Sequence, residues 1–78
     1  MDWKGHIEIN PAVMTGKPVI KGTRITVEHI VWCLASGWSH EQITDEYPGV
    51  TSDHILGCLA YAHDVIEDPL ADELAGAT

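Results

Sequence analysis

Gly16-Lys-Pro-Val-Ile-Lys-Gly-Thr-Arg-Ile-Thr-Val27 is the stretch on which the reading of this 78-residue chain turns. Pro18 to Lys21 has a β-branched centre and reads as a strand, with Pro18 at its start or on a sheet edge. Gly22-Thr23 marks a turn, and Thr26 is placed to cap a helix that has Glu28 in its first turn. The same segment carries three of the four basic residues, Lys17, Lys21 and Arg24. It is both a joint between strand and helix and the place where positive charge concentrates.

Upstream, His6-Ile-Glu-Ile-Asn10 alternates polar and apolar residues, with Ile7 and Ile9 on one face, before Asn10-Pro11 breaks the pattern. Pairing the two strands gives a β-hairpin over about 6–21, with Glu8 expected near Lys17 or Lys21. Two strands are not stable alone, so the hairpin must lie against helices or another chain.

Downstream, Val27, Ile30, Val31 and Leu34 recur at helical spacing, and Gly37 supplies the stop. Ser39 with Gln42 forms a capping box for a second, short helix that Pro48-Gly49 ends. Thr51 or Ser52 starts a third helix, on which Ile55, Cys58, Leu59, Ala62, Val65 and Ile66 share a face until Asp68-Pro69 closes it. The spacing predicts helices over about 27–36, 40–47 and 52–67, then a short acidic tail over 68–78. The expectation is one mainly α domain, 1–78: a three-helix, helix-turn-helix-like bundle behind an N-terminal β-hairpin.

Residues 1–24 hold four basic and two acidic groups, whereas residues 25–78 hold ten acidic groups and no Lys or Arg. An acidic body repels phosphate and suits a basic protein partner better than nucleic acid at large. No apolar stretch approaches the roughly 20 residues that span a bilayer. Met1-Asp-Trp-Lys-Gly-His6 has no apolar run after its charges, so no signal peptide is expected. Cys33 and Cys58 are then reduced thiols of a cytoplasmic protein.

His29/Cys33 and His54/Cys58 both sit at i, i+4, a spacing that invites a Cys2His2 zinc set. Cys58 lies on the core stripe of the third helix, while His29 and Cys33 lie off that of the first, and short paired arms are missing. No metal, no cofactor and no catalytic residue is therefore expected, and the chain reads as a non-enzyme. A DNA-recognition helix should carry Arg, Lys, Asn or Gln outward, but the third helix offers Asp53, Gly57, Ala60 and Asp64. Phosphate contact, if made, falls to Lys17, Lys21 and Arg24. Trp32 sits opposite the stripe of its helix, so it is either an exposed interface anchor or roofed by the hairpin. Trp38 follows the Gly37 turn and is the second aromatic candidate for an interface.

Asn10-Pro11, the run Gly16 to Val27, Ala35-Ser-Gly-Trp-Ser39, Tyr47-Pro48 and Leu59-Ala-Tyr-Ala62 together resemble the signature of the bacterial and archaeal family known as domain of unknown function 433. The resemblance implies a homeodomain-like or winged-helix-like bundle and a VapB-type antitoxin. Such an antitoxin would bind and neutralise a PIN-like ribonuclease toxin, with autoregulation through operator DNA. The acidic half fits charge complementarity with an RNA-cleaving partner. The leading expectation is an antitoxin-like component of a type II toxin–antitoxin module, a homodimer that meets its partner through the acidic helices, Leu70 and Leu74. The alternative is a small DNA-binding transcriptional regulator that uses Lys17, Lys21 and Arg24.

Overall fold

A computed structural model describes residues 2–67. Two short strands, β1 (Ile7–Glu8) and β2 (Val19–Ile20), pair antiparallel with Ile7 opposite Ile20 and Glu8 opposite Val19. Three helices follow: α1 (Val27–Ala35), α2 (His40–Glu46) and α3 (Ser52–Ile66). Each lies within a residue of the range its caps predict. The mainly helical fold behind a two-stranded hairpin is the one expected.

The opening stretch folds as a double joint. The Thr23 amide donates to the Ile20 carbonyl at 2.9 Å, and Gly22 takes φ +81° inside that turn. A positive φ at the third position is what a type II turn demands, and glycine meets it without steric cost. The Thr23 hydroxyl donates to the Ile20 carbonyl at 2.8 Å and accepts from the Ile25 amide at 3.0 Å. Ile20 N–H then reaches the Ile25 carbonyl at 2.8 Å, and Val27 N–H the Pro18 carbonyl at 2.9 Å. β2 is thus bonded on one side to β1 and on the other to the residues that lead into α1. Thr26 caps α1 by accepting from the His29 amide at 3.1 Å.

The two later helix starts are capping boxes. Ser39 and Gln42 exchange side-chain bonds with each other's amides at 3.1 and 2.8 Å. Thr51 does the same with His54, whose Nδ1 accepts from the Thr51 amide at 3.1 Å. An imidazole nitrogen here takes the place of the usual Glu or Gln oxygen.

The core joins Ile7, Ile20, Val27, Ile30, Cys33, Ile43, Val50, Ile55 and Cys58, drawn from every strand and helix and from the turn before α3. It is built from medium-sized side chains, with no aromatic among the fully buried ones. Several expectations need correction. Cys33, placed off the stripe, is 1% exposed, because α1 is packed by both α2 and α3 and so buries two faces. Ile9 lies beyond β1 and is exposed. Glu8 faces Val19 rather than a lysine, and Lys17 instead reaches Glu28 of α1 at 3.3 Å. Gly57 points inward, since the segment before β1 folds over α3 and brings His6 against it.

Candidate protein-interaction surface

The three basic residues are all exposed, but they are not equivalent. Lys21 and Arg24 border the Gly22-Thr23 turn. Lys17 sits at the other end of β2, on the order of 13 Å along an extended backbone. Its ammonium is engaged by Glu28, a solvent-exposed pair that contributes little to stability.

Trp32 is 61% exposed, so the hairpin does not roof it. Its ring runs beside that of His29, with planes 25° apart. His29 Nε2 is hydrogen-bonded to the Tyr47 hydroxyl at 2.6 Å and lies 3.6 Å from Cys33 Sγ. This contact ties α1 to the end of α2. Trp38 is half-buried against the core and, with Gln42, Asp45 and Glu46, borders a shallow depression of about 290 Å³. Leu70 and Leu74 lie outside the described residues.

The larger apolar feature is one the sequence reading reached only in part. The stripe expected on α3 is covered at Ile55 and Cys58 but opens further along: Leu59 is 40% exposed, Val65 54% and Ile66 72%. Val65 and Ile66 form, with Pro18, Val27, Val31 and Tyr61, a groove of about 320 Å³ between α1 and α3. Glu28 is the charged residue on its wall. The period along α3 pointed to this face. That Val27, Val31 and Pro18 supply the opposite wall is a matter of helix crossing, which periodicity alone does not encode.

Burial governs the thiols. Cys58 is fully enclosed, and desolvation pushes its pKa from 9.0 up to about 11. The Cys33 thiol is raised by the same cause. Neither is suited to act as a nucleophile at neutral pH, because the thiolate is the reactive form. His29 and Cys33 approach each other, but among the described residues the two His/Cys pairs do not join into a set of three or more donors. His54 Nδ1 is used in the α3 cap and His29 Nε2 on Tyr47. Among the described residues His63, Asp64 and Glu67 bring donor atoms within 4.8 Å of one another, all exposed at the end of α3. Asp64 is also held from the N-terminus. The Trp3 indole N–H donates to its carboxylate at 2.6 Å, and Trp3 packs edge-on to Tyr61 at 4.8 Å. That bond, then the one from His63, lowers the Asp64 pKa.

No described helix is long and apolar enough to cross a membrane. The family model "Protein of unknown function (DUF433)" matches residues 7–62, which span both strands and most of α3. Among solved structures, the crystal structure of a DUF433 member from Anabaena variabilis is similar at 25% identity and a TM-score of 0.74. The match covers 96% of this chain and 71% of that one. No curated protein gives a significant match.

Proposed function

We propose, from the premise that this chain belongs to the DUF433 family of proteins of unknown function, that it is an antitoxin-like protein-binding module. It would capture and neutralise a PIN-like ribonuclease by covering the partner's basic substrate groove, without chemistry of its own. The observation that carries this reading is the pairing of large uncovered apolar side chains with an acidic surround. Trp32, Leu59, Val65 and Ile66 are all at least 40% exposed. Residues 25–67, which bear them, include seven carboxylates and no Lys or Arg. Exposed apolar surface of this kind marks protein contact sites. An acidic rim repels RNA and steers a nuclease whose own groove is positive.

The test is direct. The product of the neighbouring gene is assayed for cleavage of a fluorogenic RNA with and without one equivalent of the purified protein. Loss of cleavage together with co-elution of the two proteins is expected. Full cleavage at saturating protein would end the reading.

A second reading, an operator-binding regulator, draws on the exposed cations Lys21 and Arg24 beside one turn. Changing Lys17, Lys21 and Arg24 together to Ala should then abolish the gel shift of operator DNA, and an unchanged shift removes it. In a module that does both, autoregulation would use this end and the partner the other.

A further inference from the structure

We infer that the groove between α1 and α3 is the seat of one amphipathic, basic helix supplied by the protein partner. The inference rests on the reading of this chain as a protein-binding module and adds where and what it binds. The walls are two helical rows, Val27 with Val31 on α1 and Tyr61 with Val65 on α3, each spaced i, i+4. Two such ridges leave a valley of the kind into which the ridge of a third helix packs. Backbone groups on both walls are spent inside α1 and α3, so an extended strand would find nothing to pair with. The lining is apolar apart from Glu28 and the Tyr61 hydroxyl. A small-molecule site would need several convergent polar groups to orient its ligand.

The charge of the occupant follows from the rim. Glu28 stands on the α1 side, and the α3 side, Tyr61, Ala62, Val65 and Ile66, brings no cation to offset it. None of the three helices carries a Lys or Arg. Lys17, the cation nearest the groove, is drawn to Glu28, and a partner Lys or Arg would compete with it for that carboxylate. A helix with apolar residues at i, i+3, i+4 and i+7 and Lys or Arg on its flanks satisfies both parts of the site. A second copy of this chain does not offer such a helix: among its described residues, no helix has a basic flank.

The probe is a synthetic Leu/Lys peptide whose leucines follow that helical spacing. Its control has the same composition rearranged so that no helical stripe forms. Binding to the full-length protein is read by fluorescence anisotropy, and its location by amide resonance shifts. The patterned peptide should bind at least tenfold tighter than the rearranged one, with shifts concentrated at Val27, Val31, Ala62 and Val65. Val65→Asp, at a solvent-exposed position, should weaken binding at least tenfold even though it adds negative charge. The Ile9→Ala control, at an exposed apolar position outside the groove, should leave affinity unaltered.

Equal binding of the two peptides, tighter binding by Val65→Asp, or shifts spread over α2 as well would each reduce the effect to bulk charge and overturn the inference. A protein that sediments as a dimer when wild type and as a monomer when Val65→Asp would put a second copy in the groove, and overturn it too. The module reading is judged apart from this. Wild-type protein that silences the nuclease while the peptide finds no groove keeps the function and loses the site. Groove-dependent peptide binding without nuclease inhibition does the reverse.

Discussion

Between Ser52 and Cys58 the inward face of α3 is covered, although Leu56 on its outer face is 45% exposed: Ile55 and Cys58 have no solvent exposure, and Gly57 is pressed against His6. From Leu59 to Ile66 the same apolar period continues, yet Val65 and Ile66 are more than half exposed. The lengths explain the contrast. Fifteen residues make a rod of about 22 Å, while the nine of α1 reach about 13 Å and the seven of α2 less. From outside the bundle, the later part is approached by the N-terminal turn with Trp3 and, at the groove wall, by Pro18. An apolar stripe therefore says which face wants cover and not what covers it. In this chain the first half of the stripe builds the core, and the second half stays largely uncovered among the described residues.

Alanine substitutions put this division at risk most directly. Ile55→Ala should cost about 2–5 kcal/mol in urea unfolding, the range for emptying a buried aliphatic site. Ile66→Ala should stay within about 0.5 kcal/mol, as surface changes do. Equal losses at the two positions would mean that the second half is as much a part of the core as the first, and the division would fail.

Alkaline titration probes the buried half alone. The folded Cys58 pKa is raised above its unfolded value, so the folded state holds the proton more tightly. The stability involved is fully present below pH 9.0 and is lost as pH rises toward about 11. A fall on the order of 2 kcal/mol is expected across that interval. Cys33 adds to it in the same direction. Cys58→Ala should flatten much of the slope, and a slope that survives unchanged would show that burial at Cys58 is not its source.

Gly57 gives a smaller effect of telling sign. Gly to Ala inside a helix ordinarily stabilises by about 0.5–1 kcal/mol. Here an added Cβ would meet His6 Cβ at 3.0 Å, a contact with the root of a side chain that cannot swing away. The gain should vanish or reverse in Gly57→Ala and return when His6→Gly removes the obstacle. A plain gain in the single variant would mean that the N-terminal segment does not press on α3.

These positions also mark how far the sequence could be read. Helix starts were legible at Thr26, Ser39 with Gln42, and Thr51, because capping is settled within four residues of chain. The turns at Gly22 and Gly37 were legible for a similar reason, since each needs a positive φ at that position. His54 as a capping acceptor was missed because the rule looks for Glu or Gln, although an imidazole nitrogen meets the same amide. Cys33 and Gly57 were misplaced because each is buried by a segment distant in sequence or by a second helix face. The groove was half legible. Its α3 wall follows from periodicity, but its α1 wall depends on how the two helices cross. Lys17, Lys21 and Arg24 were visible as charge, while the capture of Lys17 by Glu28 appears only once β2 is set beside α1.

Trp3 touches the second half of α3, at Tyr61 and Asp64, and its removal should produce the smallest shift. It is 61 residues from Asp64 in the chain, and no local pattern announces the contact. Trp3→Phe keeps a ring against Tyr61 and removes the indole donor. The Asp64 carboxyl, held low first by that donor, should then titrate nearer its ordinary 3.8, which a carbon-13 NMR titration would follow. The sign for stability is the usual one for a depressed carboxyl: the contribution is present above the unfolded pKa and is lost as pH falls through the folded value. Because Asp64 is well exposed, the effect on unfolding should be slight. A titration midpoint that does not move would mean that the indole contact is not holding the carboxylate. The second half of α3 would then be even less restrained than the comparison with the first half implies.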